Sequence, residues 1–300
     1  MKDYKFAAID VGSNAVRLLL SRVIENGAAP VFKKEALVRV PIRLGDDVFK
    51  GEQISDHKRE NLIKTMKAFK YLMEAYESLD YAACATSAVR DAANGGEVLD
   101  AIREQSGVDV NMVDGQREAE IIFEHHLSGS PFDDHSALYI DVGGGSTDIT
   151  VFNGRDAVRS ASFNIGTIRL LENLVADRKW KELKKWLKST AAELHPTLAV
   201  GTGGNINKVF RLSRQKDGKP ITYGKIKDIR KYLASYTMEE RIKKLMLRPD
   251  RADVIVPAAD IFIAVMKWSG IKDMYVPQVG LSDGLIRILY HSYKEAHADA

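Results

Sequence analysis

Asp141 closes an apolar run, and Gly143, Gly144 and Gly145 follow it with Ser146 and Thr147 behind them. These residue types in this order point to phosphate chemistry. Consecutive glycines cost backbone entropy, and what they provide is a turn whose N–H groups approach an anion with no side chain in the way. A carboxylate at the end of the preceding strand suits a Mg2+ ion bound to that anion. No Gly-Lys-Ser/Thr follows and no helix opens after the glycines, so this is not a Walker loop. A second copy lies near the start: Ala8-Ile9-Asp10-Val11-Gly12 lines up with Tyr139-Ile140-Asp141-Val142-Gly143, and Ser13 and Asn14 follow as small polar donors for a phosphate. One strand ending in Asp-x-Gly means little. Two matched cores, each followed by a second apolar strand, point to two similar lobes facing each other across a cleft.

The elements that must position these groups are strands and amphipathic helices. Residues 138–152 read strand, glycine turn, strand, within three strands over 136–163. Segments 4–11 and 15–24 make the earlier hairpin, with Arg17 read as an outward-facing charge, and 31–40 a third strand; 41–49 reads as a loop carrying Arg43. Ser55 caps a helix over 56–77, where Leu62, Met66, Phe69, Leu72 and Met73 recur at helical spacing. Residues 81–85 read as a buried strand, 97–106 as a helix and 108–113 as a strand; Thr86 and Ser87 can cap the helix that carries Arg90. Gly115 opens a helix with Glu118 and Glu120 in its first turn, where the helix dipole stabilises acids of any function. His125 and His126 are adjacent, so they point different ways and do not make a metal pair. A helix over 164–174 passes close to the glycine turn at Gly166, and Trp180, Leu183, Trp186 and Leu187 mark another whose lysines form a solvated face. A strand at 198–200 runs into Gly201-Thr202-Gly203-Gly204-Asn205, with Asn205 read as the cap of the next helix. Helices near 225–235, 238–245 and 250–268, a strand at 274–276 and a helix over 284–296 packing back on the first lobe complete the chain.

The 300 residues are 45% hydrophobic, enough for one large or two medium cores. A net charge of +3 agrees with an anionic substrate but falls short of a nucleic-acid-binding stripe. The single cysteine, Cys84, lies in an apolar strand and excludes intrachain disulfides and thiolate zinc sites. The N-terminal apolar run ends at Asp10, and Asp260 interrupts the longest one, so no signal peptide and no membrane span is expected. The expectation is a soluble, cytoplasmic protein without nucleic-acid or membrane partners.

DVGSN at 10–14, ATSAVRDAANG at 85–95, GQREAE at 115–120, IDVGGGSTD at 140–148, GTGGN at 201–205 and RADVIVP at 251–257 come in the order seen in the exopolyphosphatase/guanosine pentaphosphate phosphohydrolase (Ppx/GppA) family, which the chain resembles over nearly its whole length. The resemblance implies an α/β fold of two RNase H-like lobes of the actin-like ATPase superfamily with an interdomain cleft, divided as 1–116 with 284–300 and 117–283. It implies a Mg2+-dependent hydrolase that removes terminal phosphate from inorganic polyphosphate, guanosine pentaphosphate or both, the latter linking it to the stringent response. Asp10 and Asp141 would hold the metal. Gly12, Ser13 and Asn14 with Gly143, Gly144, Gly145, Ser146 and Thr147 would hold phosphates. Arg43 and Arg90 would reach them, and Gly203 and Gly204 would lie in the loop against a nucleotide. Glu118 matches the family's catalytic glutamate, as general base, and Asp148 the carboxylate at the end of the glycine motif. An exposed loop arginine is the plain alternative for Arg43, and a structural ion pair for Arg251.

The sequence departs from the family where Arg117 replaces the first glutamate of Gly-x-Glu-Glu-Ala and where Asp148 replaces a glutamate. These departures keep open a sensor that binds guanosine tetra- or pentaphosphate without turnover. A kinase of the same superfamily is the third alternative. The additional helical portion of longer members has no counterpart here, which favours shorter polyphosphate. A homodimer rests on the resemblance alone.

Overall fold

The computed structural model describes residues 2–27, 29–126, 136–154 and 156–297, the side chains of 123–126 excepted. The histidine pair at His125 and His126 lies outside the described side chains. The chain divides into two compact units, Met1–Asp114 with Leu281–Ala300, and Gly115–Gly280.

The first unit contains β1 (Lys2–Val11), β2 (Val16–Glu25), β3 (Val31–Val40), α1 (Leu44–Gly51), α2 (Asp56–Tyr76), β4 (Asp80–Ala85), α3 (Ser87–Asp91), α4 (Gly95–Ser106) and β5 (Asn111–Met112). Its sheet has the order β3-β2-β1-β4-β5: an antiparallel meander, with β4 and β5 running parallel to β1. Phe6 to Val11 are buried without alternation, as a central strand covered on both faces must be. The edge strand β3 carries Lys33, Lys34 and Glu35, charges that discourage pairing with another chain.

The second unit contains α5 (Gly115–His126), β6 (Ser136–Val142), β7 (Thr147–Asn153), β8 (Asp156–Phe163), α6 (Thr167–Leu171), α7 (Asp177–Leu194), β9 (Leu198–Thr202), α8 (Gly204–Ser213), β10 (Ile221–Thr222), α9 (Tyr223–Ala234), α10 (Met238–Lys243), α11 (Pro249–Ala252), α12 (Ile255–Ser269) and β11 (Asp273–Tyr275). Its sheet order is β10-β11-β9-β6-β7-β8. Again a meander, β6-β7-β8, continues through parallel strands, β9 and β11, beside its first strand. The duplicated strand-Asp-x-Gly signal thus marks the same strand in both sheets. Phe262, Val265 and Met266 of α12 join Leu138, Ile140 and Ile149 of the sheet in one core. The last helix, α13 (Leu281–Ala296), returns to the first unit and packs on β1 and β2. There Tyr290 meets Tyr4 and Phe32 edge-on, at 5.9 and 5.5 Å between ring centroids.

Several local expectations change. Residues 41–43 lie outside any helix or strand as expected, but 44–49 of the expected loop are instead the start of α1, because Leu44, Val48 and Phe49 share one buried face and Asp46 and Asp47 stand in the first turn. Asn205 lies inside α8 and Gly203 is its cap, at φ 100°, a value glycine alone adopts without strain. Only Asn111–Met112 of 108–113 pairs as strand, α6 stops at Leu171, and the 250–268 segment breaks into α11 and α12. The two-residue strand β10 carried no periodic signal. No helix of the described residues is long and apolar enough to cross a membrane.

Candidate active site

In the second unit the site gathers at the C-terminal ends of β6 and β9, the edge at which open α/β sheets bind ligands. The glycine turn is held from one side by α6. Thr167 N donates to Gly143 O at 3.0 Å, Ile168 N to Gly144 O at 2.9 Å, and Arg169 Nε to Gly145 O at 3.0 Å. In a planar trans peptide the carbonyl and the following N–H point to opposite sides. With these carbonyls turned to α6, the N–H groups of Gly144, Gly145 and Ser146 are directed away from it, as an anion-binding nest requires. Gly143 and Thr147 shape the turn: Gly143 N donates to Ser146 O at 3.0 Å, and the fully buried Thr147 hydroxyl donates to Ile165 O at 2.5 Å. A Cβ on Gly166 would sit 2.3 Å from Gly144 O, so the close passage expected of Gly166 is sterically obligatory.

Carboxylates surround this turn. Asp141 and Asp148 are direct cross-strand partners. Asp148 Oδ2 accepts from Ser146 Oγ at 2.8 Å, and its carboxylate abuts Gly115, where a Cβ would lie 2.2 Å from Oδ1. That contact fixes the start of α5, and Glu118 lies in the first turn of this helix, half-buried. Asp141 Oδ1 accepts from Thr202 Oγ1 at 2.7 Å. Gly203 packs against the same oxygen, where a Cβ would sit 3.3 Å away. The GTGG loop therefore addresses Asp141 through Thr202 and Gly203, while Gly204 begins α8.

Tyr139 is a site residue that sequence reading missed. It is fully buried, and its hydroxyl lies 2.8 Å from Thr202 Oγ1. Burial pushes this hydroxyl well above the ordinary tyrosine range, and the charges of Asp141, Glu118 and Asp148 push the same way against the Thr202 hydrogen bond. The three carboxylates thus lie within electrostatic reach of one buried group. The missed signal was a tyrosine in an otherwise aliphatic buried strand, where its hydroxyl must find a partner.

Like charges directly opposite on a sheet repel, and a cation would relieve Asp141 and Asp148. Among the described residues no group of three or more His, Cys, Asp or Glu side chains is gathered to hold an ion alone. Such a donor set fits Mg2+, which takes one or two carboxylates and completes its shell with water and phosphate oxygens.

In the first unit the corresponding turn is built the same way. Gly45 N donates to Ser13 O at 2.9 Å and Arg43 N to Asn14 O at 3.1 Å, so the N–H groups of Asn14 and Ala15 face away from α1. Gly12 N donates to Ala15 O at 3.2 Å, closing the turn. Ser13 is buried, and its hydroxyl lies 2.8 Å from that of Ser87 at the start of α3. Arg90 on that helix reaches Val113 O at 3.3 Å and stands 3.6 Å from Asp91. Arg17 does not face outward; it is ion-paired with the nearly buried Asp10. Arg43 is placed at the turn by its backbone, in left-handed conformation at φ 57°, while its guanidinium forks onto Asp46 at 2.7 and 3.0 Å.

Residues 30–292 match the model of the Ppx/GppA phosphatase family. The chain is 26% identical to a bifunctional 3-dehydroquinate synthase/phosphatase of Fusobacterium nucleatum over 90% of its own length, and spans 44% of that longer protein. It is 25% identical to exopolyphosphatase 1 of Mycobacterium tuberculosis, covering 94% of this chain and 87% of that one. Among solved structures, an exopolyphosphatase of Cytophaga hutchinsonii superposes with a TM-score of 0.82 at 23% identity, covering 96% of this chain and 98% of that one. The Aquifex aeolicus family member gives 0.77 at 23% identity, with 97% and 99% covered. The fold is that of these structures, two α/β lobes as expected, and the chain belongs to the Ppx/GppA phosphatase family.

Proposed function

We propose that this protein is a Mg2+-dependent phosphoanhydride hydrolase that removes the terminal phosphate of inorganic polyphosphate, with guanosine pentaphosphate as the second candidate substrate. The observation that carries the reading is the set of N–H groups of Gly144, Gly145 and Ser146, turned away from α6, with Asp141 and Asp148 paired on the strands either side of the turn and Glu118 in the first turn of α5. The exopolyphosphatase relatives favour polyphosphate over the nucleotide.

The N–H groups bind and orient a phosphate and neutralise charge that grows on its oxygens. Glu118 accepts the proton of the attacking water. The water oxygen bonds to the terminal phosphorus, the bridging P–O bond breaks, and its electron pair leaves with the shortened chain. Asp141 and Asp148 would hold Mg2+, which supplies charge neutralisation at the phosphate oxygens. In the first unit, taken by itself, the Asn14 and Ala15 N–H groups, Ser13 and Arg90 are assigned to phosphate binding, and Asp10, ion-paired with Arg17, is the carboxylate that a cation there would have to take from that pair.

Purified protein should release phosphate from polyphosphate with Mg2+, and Glu118→Gln should lower the rate by ~100-fold or more, the usual worth of a positioned general base. Wild-type turnover in Glu118→Gln would remove Glu118 from this role. A sensor of guanosine tetra- or pentaphosphate is the second reading, favoured by the engagement of the shortened Asp148 with Ser146 and Gly115. Tight nucleotide binding with no phosphate release from any substrate would select it.

A further inference from the structure

We propose that Tyr139 is a positioning residue that fixes the Asp141 carboxylate through Thr202; this rests on the assignment of Asp141 to metal binding. The direction of the hydrogen-bond chain follows from proton counting. Thr202 Oγ1 has one proton, and it is given to Asp141 Oδ1 at 2.7 Å. The 2.8 Å contact between the two hydroxyls must then be donated by Tyr139. With its acceptor side taken by Tyr139, the Thr202 hydroxyl is held in the rotamer that serves Asp141.

Gly203 walls the same carboxylate oxygen, since a Cβ there would lie 3.3 Å from it. A carboxylate gripped at one oxygen by a donor and a wall presents its other oxygen in one direction, the preorganisation a metal ligand needs. Packing alone does not explain a tyrosine here. The ring meets Phe152 edge-on at 6.2 Å and is 0% exposed, a role phenylalanine would fill without a buried hydroxyl to satisfy. The partners are 61 and 63 residues apart in sequence, and only the parallel pairing of Asp141 with Thr202 at the ends of β6 and β9 brings them together.

The test compares wild type with Tyr139→Phe, Thr202→Val and Thr202→Ser. Mn2+ binding to substrate-free protein is read by electron paramagnetic resonance, and the Mg2+ dependence of phosphate release is measured beside it. Tyr139→Phe and Thr202→Val should each weaken Mn2+ binding by ~10-fold, about the worth of one hydrogen bond to a charged group. The Mg2+ concentration for half-maximal rate should rise by the same factor, with kcat at saturating Mg2+ within ~2-fold of wild type, because a positioning residue acts on binding of the ion rather than on the bond broken. Thr202→Ser, which keeps the hydroxyl, should behave as wild type. If Tyr139→Phe loses its fold, the Thr202→Val and Thr202→Ser pair reads the same link. Wild-type Mn2+ affinity in the folded Tyr139→Phe protein would overturn this inference alone. A wild-type protein that neither binds Mn2+ nor releases phosphate would overturn the proposed function, and the inference with it.

Discussion

Gly166→Ala tests how the phosphate turn is made. The added Cβ would lie 2.3 Å from Gly144 O and 2.4 Å from Gly144 C and Gly145 C. All three are backbone atoms, so relief requires the turn or α6 to move. Either movement strains the bonds from Thr167 N and Ile168 N and from Arg169 Nε to the carbonyls of 143–145. Overpacking of a closed core costs about 1–3 kcal/mol, and each hydrogen bond lost adds about 1 kcal/mol. A loss of about 2–4 kcal/mol follows, read as a fall of roughly 4–16 °C in the melting of the second unit. Phosphate release should fall together with stability, because the same carbonyl contacts aim the N–H groups of Gly144, Gly145 and Ser146. The control is Gly96→Ala in α4, where a Cβ meets nothing within 4 Å; it should gain about 0.5–1 kcal/mol from helix propensity. The assay is differential scanning calorimetry beside phosphate release. A Gly166→Ala protein with the wild-type melting temperature and rate would refute the assignment of α6 as the support of the turn.

Three further outcomes are expected. Chelation of divalent ions should abolish phosphate release and Mg2+ should restore it, as followed in a coupled phosphate assay; full activity in chelator would remove Asp141 and Asp148 from metal binding. Arg17→Leu should destabilise the first unit by about 1–3 kcal/mol in urea, since Asp10, with a side chain 10% exposed, loses its ion-pair partner; an unchanged midpoint would mean that solvent or another group replaces Arg17. Tyr290 anchors α13 through Glu25, and burial first, then that hydrogen bond, pushes its hydroxyl from 10.0 to about 12. A raised folded-state value means stability that is complete below pH 10 and lost as pH rises towards 12. Tyr290→Phe should therefore lose less stability than wild type between denaturant midpoints at pH 9 and pH 11, and an identical decline in both proteins would contradict this anchor.

The sequence alone determined the parts of this protein that depend on local order along the chain. Apolar runs ending in Asp-x-Gly fix β1 and β6, because a buried strand and the glycine turn after it are set by neighbouring residues. Spacing alone put Glu118 in the first turn of α5, and Ser55 at the head of α2, where it caps Lys58 N at 3.4 Å. Family membership was legible for the same reason, since its motifs are short and contiguous.

Tertiary structure decided what each of these groups touches. Arg17 read as an outward charge until strand pairing set it opposite Asp10. Arg43 was expected to reach a phosphate, with an exposed loop arginine as the alternative; the structure leaves it just before α1 as the N-cap residue, with its guanidinium on Asp46. Gly166 against Gly144, Gly115 against Asp148, and Tyr139 through Thr202 to Asp141 are contacts between elements far apart in the chain. Local propensity says nothing about them. The last exists because the sheet of the second unit brings the ends of β6 and β9 side by side, and the first two because the starts of α6 and α5 pack so closely on the glycine turn and on Asp148 that a Cβ would not fit.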